Sequence, residues 1–157
     1  MLRFRSLGSG SAGNGTVVEA GSGAAARHLL IDCGFGPRQL AQRLARAGLA
    51  CDDLDGIFIT HEHSDHVGCA VALAQQHAIA IWMSPGTYAA IGNPPLGTLL
   101  HLVQDGATID LGPLEARPFT VPHDAREPLQ LRCSDGQHHL GVATDFGHAS
   151  AHLLAQL

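Results

Sequence analysis

The segment His61-Glu62-His63-Ser64-Asp65-His66 places four potential metal ligands, three imidazoles and one aspartate, within six residues. Imidazole and carboxylate form the donor set expected for zinc, and they also suit manganese or iron. In extended backbone, residues two apart point the same way, so His61 and His63 can converge on one cation. The chain then turns into the next helix, which lets Asp65 and His66 face a second cation beside it. A solvated His-rich loop is the bland alternative. The position decides against it, because the cluster leaves Gly56-Ile57-Phe58-Ile59-Thr60, a short, continuously apolar strand of the kind buried on both faces.

The elements that must hold this loop can be read on either side of it. Residues 2–7, 16–20 and 28–32 have strand character and are separated by glycine-rich turns. A helix begins at Pro37, repeats its apolar positions at Leu40, Leu44 and Ala47, and closes at Gly48. Residues 67–77 are expected to be helical, 79–83 a strand and 85–91 a short helix. From residue 99 the pattern changes to strands with turns, at 99–103, 114–121, 129–133 and 139–144. Residues 148–157 read as a helix with no Gly, Pro or polar stop, and the fold is expected to continue past it. With no repeat and no long linker, residues 1–157 form one domain, expected to be incomplete at its C-terminal end.

Composition limits the function classes. Of 157 residues, 45% are apolar, 15% charged and 4% aromatic, which suits a globular core filled by Ala, Leu, Val and Ile and excludes a disordered or coiled-coil chain. Neither a signal peptide nor a membrane span is recognisable, so a cytoplasmic location is expected. The four cysteines, Cys33, Cys51, Cys69 and Cys133, form no C-x-x-C pair and are expected as reduced thiols. Cys33 and Cys69 are near the cluster in sequence and read as small buried packing residues. The net charge is −5 and all nine basic residues are Arg, which argues against a non-specific nucleic-acid sponge. Bound divalent cations would reverse that sign locally.

Gly8-Ser9-Gly10-Ser11-Ala12-Gly13 matches G-x-G-x-x-G, follows a strand, and has Asp32 about 20 residues on. A dinucleotide loop must open a helix. Here Thr16-Val17-Val18 follows, which is a strand, so a nucleotide cofactor is rejected. The loop reads either as a plain hairpin or as a nest of backbone N–H groups for a phosphate.

The spacing H-x-H-x-D-H, standing here as His61, His63, Asp65 and His66, resembles the metallo-β-lactamase-fold hydrolases. Their fold is a four-layer αββα sandwich of α+β or α/β class with the site at the sheet edges. The resemblance implies a third histidine for the first metal at a later strand end, matched by His123, and a bridging carboxylate after another strand, matched by Asp145. The family's last metal-binding histidine has no counterpart, since His148 and His152 follow Asp145 too soon and read as helix-surface residues. Ser6 to Asn14, Leu29 to Gly34 and Thr60 to His66, with Arg38-Gln39-Leu40, look like the YycJ/WalJ-type exonuclease branch.

That branch implies a 5′→3′ exonuclease on double-stranded DNA, with water activated by two divalent ions, zinc or manganese. Asp65 would be both a ligand and the group that orients the water. Asp32 would fix the metal loop from behind, or else cap a turn. Arg38, Arg43 and Arg46 fall partly on one helix face and could meet phosphates, or be simply solvated. The same metal pair could hydrolyse a small ester, thioester or lactam, and a non-catalytic nucleic-acid-binding module is a third reading.

Overall fold

Successive side chains of β2 (Gly15–Ala20) bury into opposite cores, Val17 toward the helices and Val18 and Ala20 toward a second sheet. This alternation organises the molecule, a computed structural model describing residues 1–157. β1 (Leu2–Gly8), β2, β3 (Arg27–Ile31), β4 (Gly56–Phe58), β5 (Ala80–Met83) and β6 (Leu100–Leu102) form a six-stranded sheet in that order. The first two pairings are antiparallel and those from β3 to β6 are parallel.

Helices α1 (Pro37–Arg46), α2 (Ser64–Val67), α3 (Ala70–His77) and α4 (Pro85–Ala90) supply the connections. Leu40 and Leu44 of α1 and Ala70, Leu73 and Ala74 of α3 pack on Leu30, Ile57, Ile59 and Ile81. The opposite face, through Leu29, Ile31 and Phe58, meets Ala116, Leu129, Leu131 and Cys133 of a four-stranded antiparallel sheet. That sheet contains β7 (Ile109–Asp110), β8 (Glu115–Thr120), β9 (Leu129–Ser134) and β10 (His139–Val142). On its outer side Phe119 and Val121 receive Leu153 of α5 (Ala151–Gln156), completing the αββα layering expected from the sequence. β4 is buried at all three positions because both of its faces are covered, which is why its sequence is apolar without alternation.

Three elements differ from their sequence expectations. The helix expected over 67–77 is split into α2 and α3 at Gly68, whose φ is +40°. A side chain there would run into the carbonyl of Cys33, so the break is set by a neighbouring segment and not by local propensity. β7 was not expected, being two residues long and too short for a period. The last helix starts at Ala151 and not at 148, because Ser150 Oγ accepts from Leu153 N at 3.1 Å and fixes the cap there. His148 lies exposed before it. No helix is long and apolar enough to cross a membrane.

Candidate metal centre

The backbone leaving β4 is sewn to two other loops before any side chain is considered. Asn14 N donates to Asp65 O at 2.8 Å, Cys33 N to His66 O at 2.7 Å, and Gly34 N to Asn14 O at 2.9 Å. These bonds hold the 61–66 segment against the β1–β2 loop and the end of β3. Glu62 Oε1 accepts from Arg126 N at 2.7 Å, and Leu129 N donates to Thr60 O at 2.9 Å. The second sheet is thereby clamped to the same segment, and its loops supply His123 and Asp145.

The fit at the crossing is tight enough to exclude a methyl group. A Cβ on Gly34 would overlap the carbonyl of Asp65 and come 2.7 Å from Asn14 N, both backbone atoms that cannot swing aside. Gly34→Ala is therefore expected to lower unfolding free energy by about 2–3 kcal/mol, the upper part of the overpacking range, measured by urea denaturation. An unchanged midpoint would mean that the loops can separate without loss.

Among the side chains, His61 Nε2 lies 3.1 Å from His63 Nδ1 and 3.1 Å from His123 Nε2. His66 Nε2 lies 2.7 Å from Asp145 Oδ2 and 3.6 Å from Asp65 Oδ2. Two sets of donor atoms, His61 with His63 and His123, and His61 with His66 and Asp145, each fall within 4.8 Å. All six residues singled out in the sequence thus share one rim. Asp65 stands slightly apart, its Oδ2 accepting from Asn14 Nδ2 at 3.1 Å.

The hydrogen bonds behind the rim fix which nitrogens face it. Asp32 is buried, its Oδ1 accepting from Thr60 N at 2.9 Å and its Oδ2 from His66 Nδ1 at 2.7 Å. Thr60 Oγ1, which donates to the Asp32 carboxylate, accepts in turn from His61 Nδ1 at 2.9 Å. With both Nδ1 atoms carrying protons, the lone pairs of neutral His61 and His66 lie at Nε2, on the side of His63, His123 and Asp145. Donor atoms about 3 Å apart match the spacing around a metal ion, since ligands at 2.0–2.1 Å around tetrahedral zinc would lie roughly 3.3 Å apart. The donor set fits a divalent cation.

The electrostatics agree with this. Burial, with the neighbouring His66, His123 and His63, holds the His61 imidazole down to about 3 and keeps it neutral, the ligating form. Burial also disfavours the His66 imidazolium, but hydrogen bonding to Asp32 and the charges of Asp32, Asp65 and Asp145 outweigh it and raise its pKa. Burial raises the Asp32 carboxyl against the pull of His66 and Thr60. The pocket around His66 attracts positive charge, whether proton or metal.

Four contributors were not apparent from sequence. Asn14 joins the glycine loop to Asp65 and lies 3.1 Å from His66 Nε2 through its Nδ2. Thr60 relays Asp32 to His61, and its place between an apolar strand and the cluster was an available signal. Gln130 is fully buried and grips the Asp145 loop, its Nε2 donating to Asp145 O at 3.2 Å. Glu62 clamps the loop that carries His123, and nothing local in the sequence marks it or Gln130. Of the residues read as surface, His152 meets Asp105 at 2.8 Å, away from the rim. Cys33 is buried and Cys69 half-buried, with sulfurs 3.5 Å apart. That hydrogen bond lowers the Cys69 thiol to about 7 and, with burial, raises Cys33.

Comparison with known proteins gives this rim a family. The chain is 31% identical to the exodeoxyribonuclease WalJ of Streptococcus pneumoniae (serotype 2, strain D39 / NCTC 7466) over 154 residues, covering 95% of this chain and 56% of that protein. Against the exodeoxyribonuclease YycJ of Bacillus anthracis the identity is 33% with the same coverages. The chain thus spans little more than half the length of these relatives. Among solved structures, Rm3 metallo-beta-lactamase superposes with a TM-score of 0.70 at 19% identity, covering 98% of this chain and 67% of that one, a likeness of fold. The family model of the metallo-beta-lactamase superfamily matches residues 8–154, nearly everything from the glycine loop to the last helix, and the chain belongs to that superfamily.

Proposed function

We propose that this domain works as a metal-dependent phosphodiesterase, a 5′→3′ exonuclease on double-stranded DNA. In this reading His61, His63 and His123 hold one divalent ion, zinc or manganese, and Asp65, His66 and Asp145 hold a second. Bound ions of this kind lower the pKa of water toward neutrality and offset charge on phosphate oxygens. Asp65 orients the attacking water, while the Asp32–Thr60 pair fixes the imidazoles that face the ions. The observation that carries the reading is the cleft beside the rim. It is open, holds about 460 Å³, and runs from Ser9, Gly10 and Ser11 to Asp65 and Asp145, with Ala143 its sole apolar residue. A polar wall ending in a serine–glycine turn suits a phosphodiester better than the apolar body of a small ester or lactam. The relatives that bear the name exodeoxyribonuclease support the same choice.

The test offers the protein, loaded with Mn²⁺ or Zn²⁺, a 5′-phosphorylated duplex, a β-lactam and a thioester in parallel. Shortening of the duplex from its 5′ ends is expected. Turnover of the lactam or thioester alone would overturn the reading, and failure to retain divalent metal would favour a non-catalytic binding module.

A further inference from the structure

Away from the rim, on the edge of the six-stranded sheet, a second cleft of about 320 Å³ lies between β1 and the end of α1. Its wall contains Arg5, Arg43 and Arg46, and no carboxylate comes within ion-pairing distance of any of the three. Three of the arginines without a carboxylate partner thus share one cleft, whereas Arg3, Arg27 and Arg117 each pair with Glu or Asp. Arg43 is held in place: its guanidinium donates to the carbonyl of Leu7 and lies 4.5 Å over the Phe35 ring. Its Nε is buried and has no hydrogen-bond partner. A planar guanidinium so held is preorganised for the oxygens of a phosphate. Arg5 reaches the same place, since a Cβ on Gly48 would lie 3.8 Å from its Nη1.

The cleft connects to the rim along the surface. Ser6 lines both it and a small recess that also touches Ser9, Asn14 and Asp32. Ser9 and Asn14 in turn line the cleft beside Asp65 and Asp145. From Arg5 to Ser9 the extended chain covers roughly 13 Å at about 3.4 Å per residue, matching some four nucleotide steps of a duplex.

We propose that Arg5, Arg43 and Arg46 form a backbone-phosphate site for the DNA strand, several nucleotides from the scissile bond. The site rests on the phosphodiesterase reading and adds to it where the strand lies. Arg43 and Arg46 also sit in the last turn of α1, where positive charge suits the exposed carbonyls. A purely structural role would therefore show in stability and leave binding to DNA unchanged.

The experiment uses the metal-loaded chain and a cleavage-resistant phosphorothioate duplex of roughly 20 base pairs, with affinity followed between about 50 and 200 mM salt. R5A/R46A spares the packed Arg43. It is expected to weaken binding at least tenfold and to reduce the slope of log Kd against log salt by about 1–2. R117A, on the outer sheet, is expected to match wild type. A double variant with wild-type affinity and slope, or a wild-type protein that binds no duplex, overturns the proposal. The outcome is separable from the catalytic one: a protein that cleaves only a lactam yet loses salt-dependent DNA binding in R5A/R46A refutes the nuclease reading and keeps the site.

Discussion

Replacing Asp65 with alanine is expected to cost at least about 10²–10⁴ in kcat, the range for removing a group that directs proton transfer in the transition state. The residue's backbone and side chain have separate tasks. Its carbonyl accepts from Asn14 N at 2.8 Å, which holds the loop together whatever the side chain is. Its carboxylate is 31% exposed, lines the wide polar cleft, and is aimed by Asn14 Nδ2 at 3.1 Å. Alanine therefore removes the carboxylate and leaves the loop, and the unfolding midpoint is expected to stay near wild type. Steady-state kinetics on the duplex, with metal content measured on the same sample, separates loss of chemistry from loss of metal. Activity within tenfold of wild type would rule this role out.

Replacing Asp32 with alanine should have the opposite profile, with its main effect on stability. Both carboxylate oxygens are engaged in a dry environment, by Thr60 at 2.9 Å and by His66 Nδ1 at 2.7 Å. Removing one partner of a buried charged pair typically costs about 3–5 kcal/mol. Asp32 also holds φ at +60°, a left-handed conformation that aspartate and asparagine tolerate and that costs alanine roughly 1–2 kcal/mol more. Asp32→Asn keeps that tolerance and removes the charge, so comparing the two variants in urea separates strain from electrostatics. Metal affinity should fall about 10–100-fold in both, because His61 and His66 lose the group that orients them. A loss of stability below about 1 kcal/mol in the alanine variant would show that the network behind the rim is dispensable.

What could be read in the sequence follows how local each feature is. The cluster 61–66 was legible because its ligands are contiguous and its strand apolar, and the first sheet because its strands are divided by glycine-rich turns. His123 and Asp145 stand alone in sequence and were reached only through their order relative to a family pattern. Gly68 breaks its helix because of a carbonyl from residue 33, and Gln130 and Glu62 act on loops far away in the chain. Each of these is a tertiary contact that leaves no period behind. Asp32 reads in sequence either as a turn cap or as a support behind the cluster, and its partner His66 Nδ1 lies 34 residues away in the chain. Cys69, expected to be buried, is only half-buried against the core, at the break between α2 and α3.

His61 belongs to both sets of clustered donors, yet its Nδ1 is taken by Thr60 and it has one remaining lone pair. One nitrogen can serve one ion at a time. If it served the proposed ion beside His63 and His123, the second would be left to His66, Asp145 and Asp65. In the proposed arrangement, imidazoles alone on one side and an imidazole with two carboxylates on the other would make the two positions unlike in hardness.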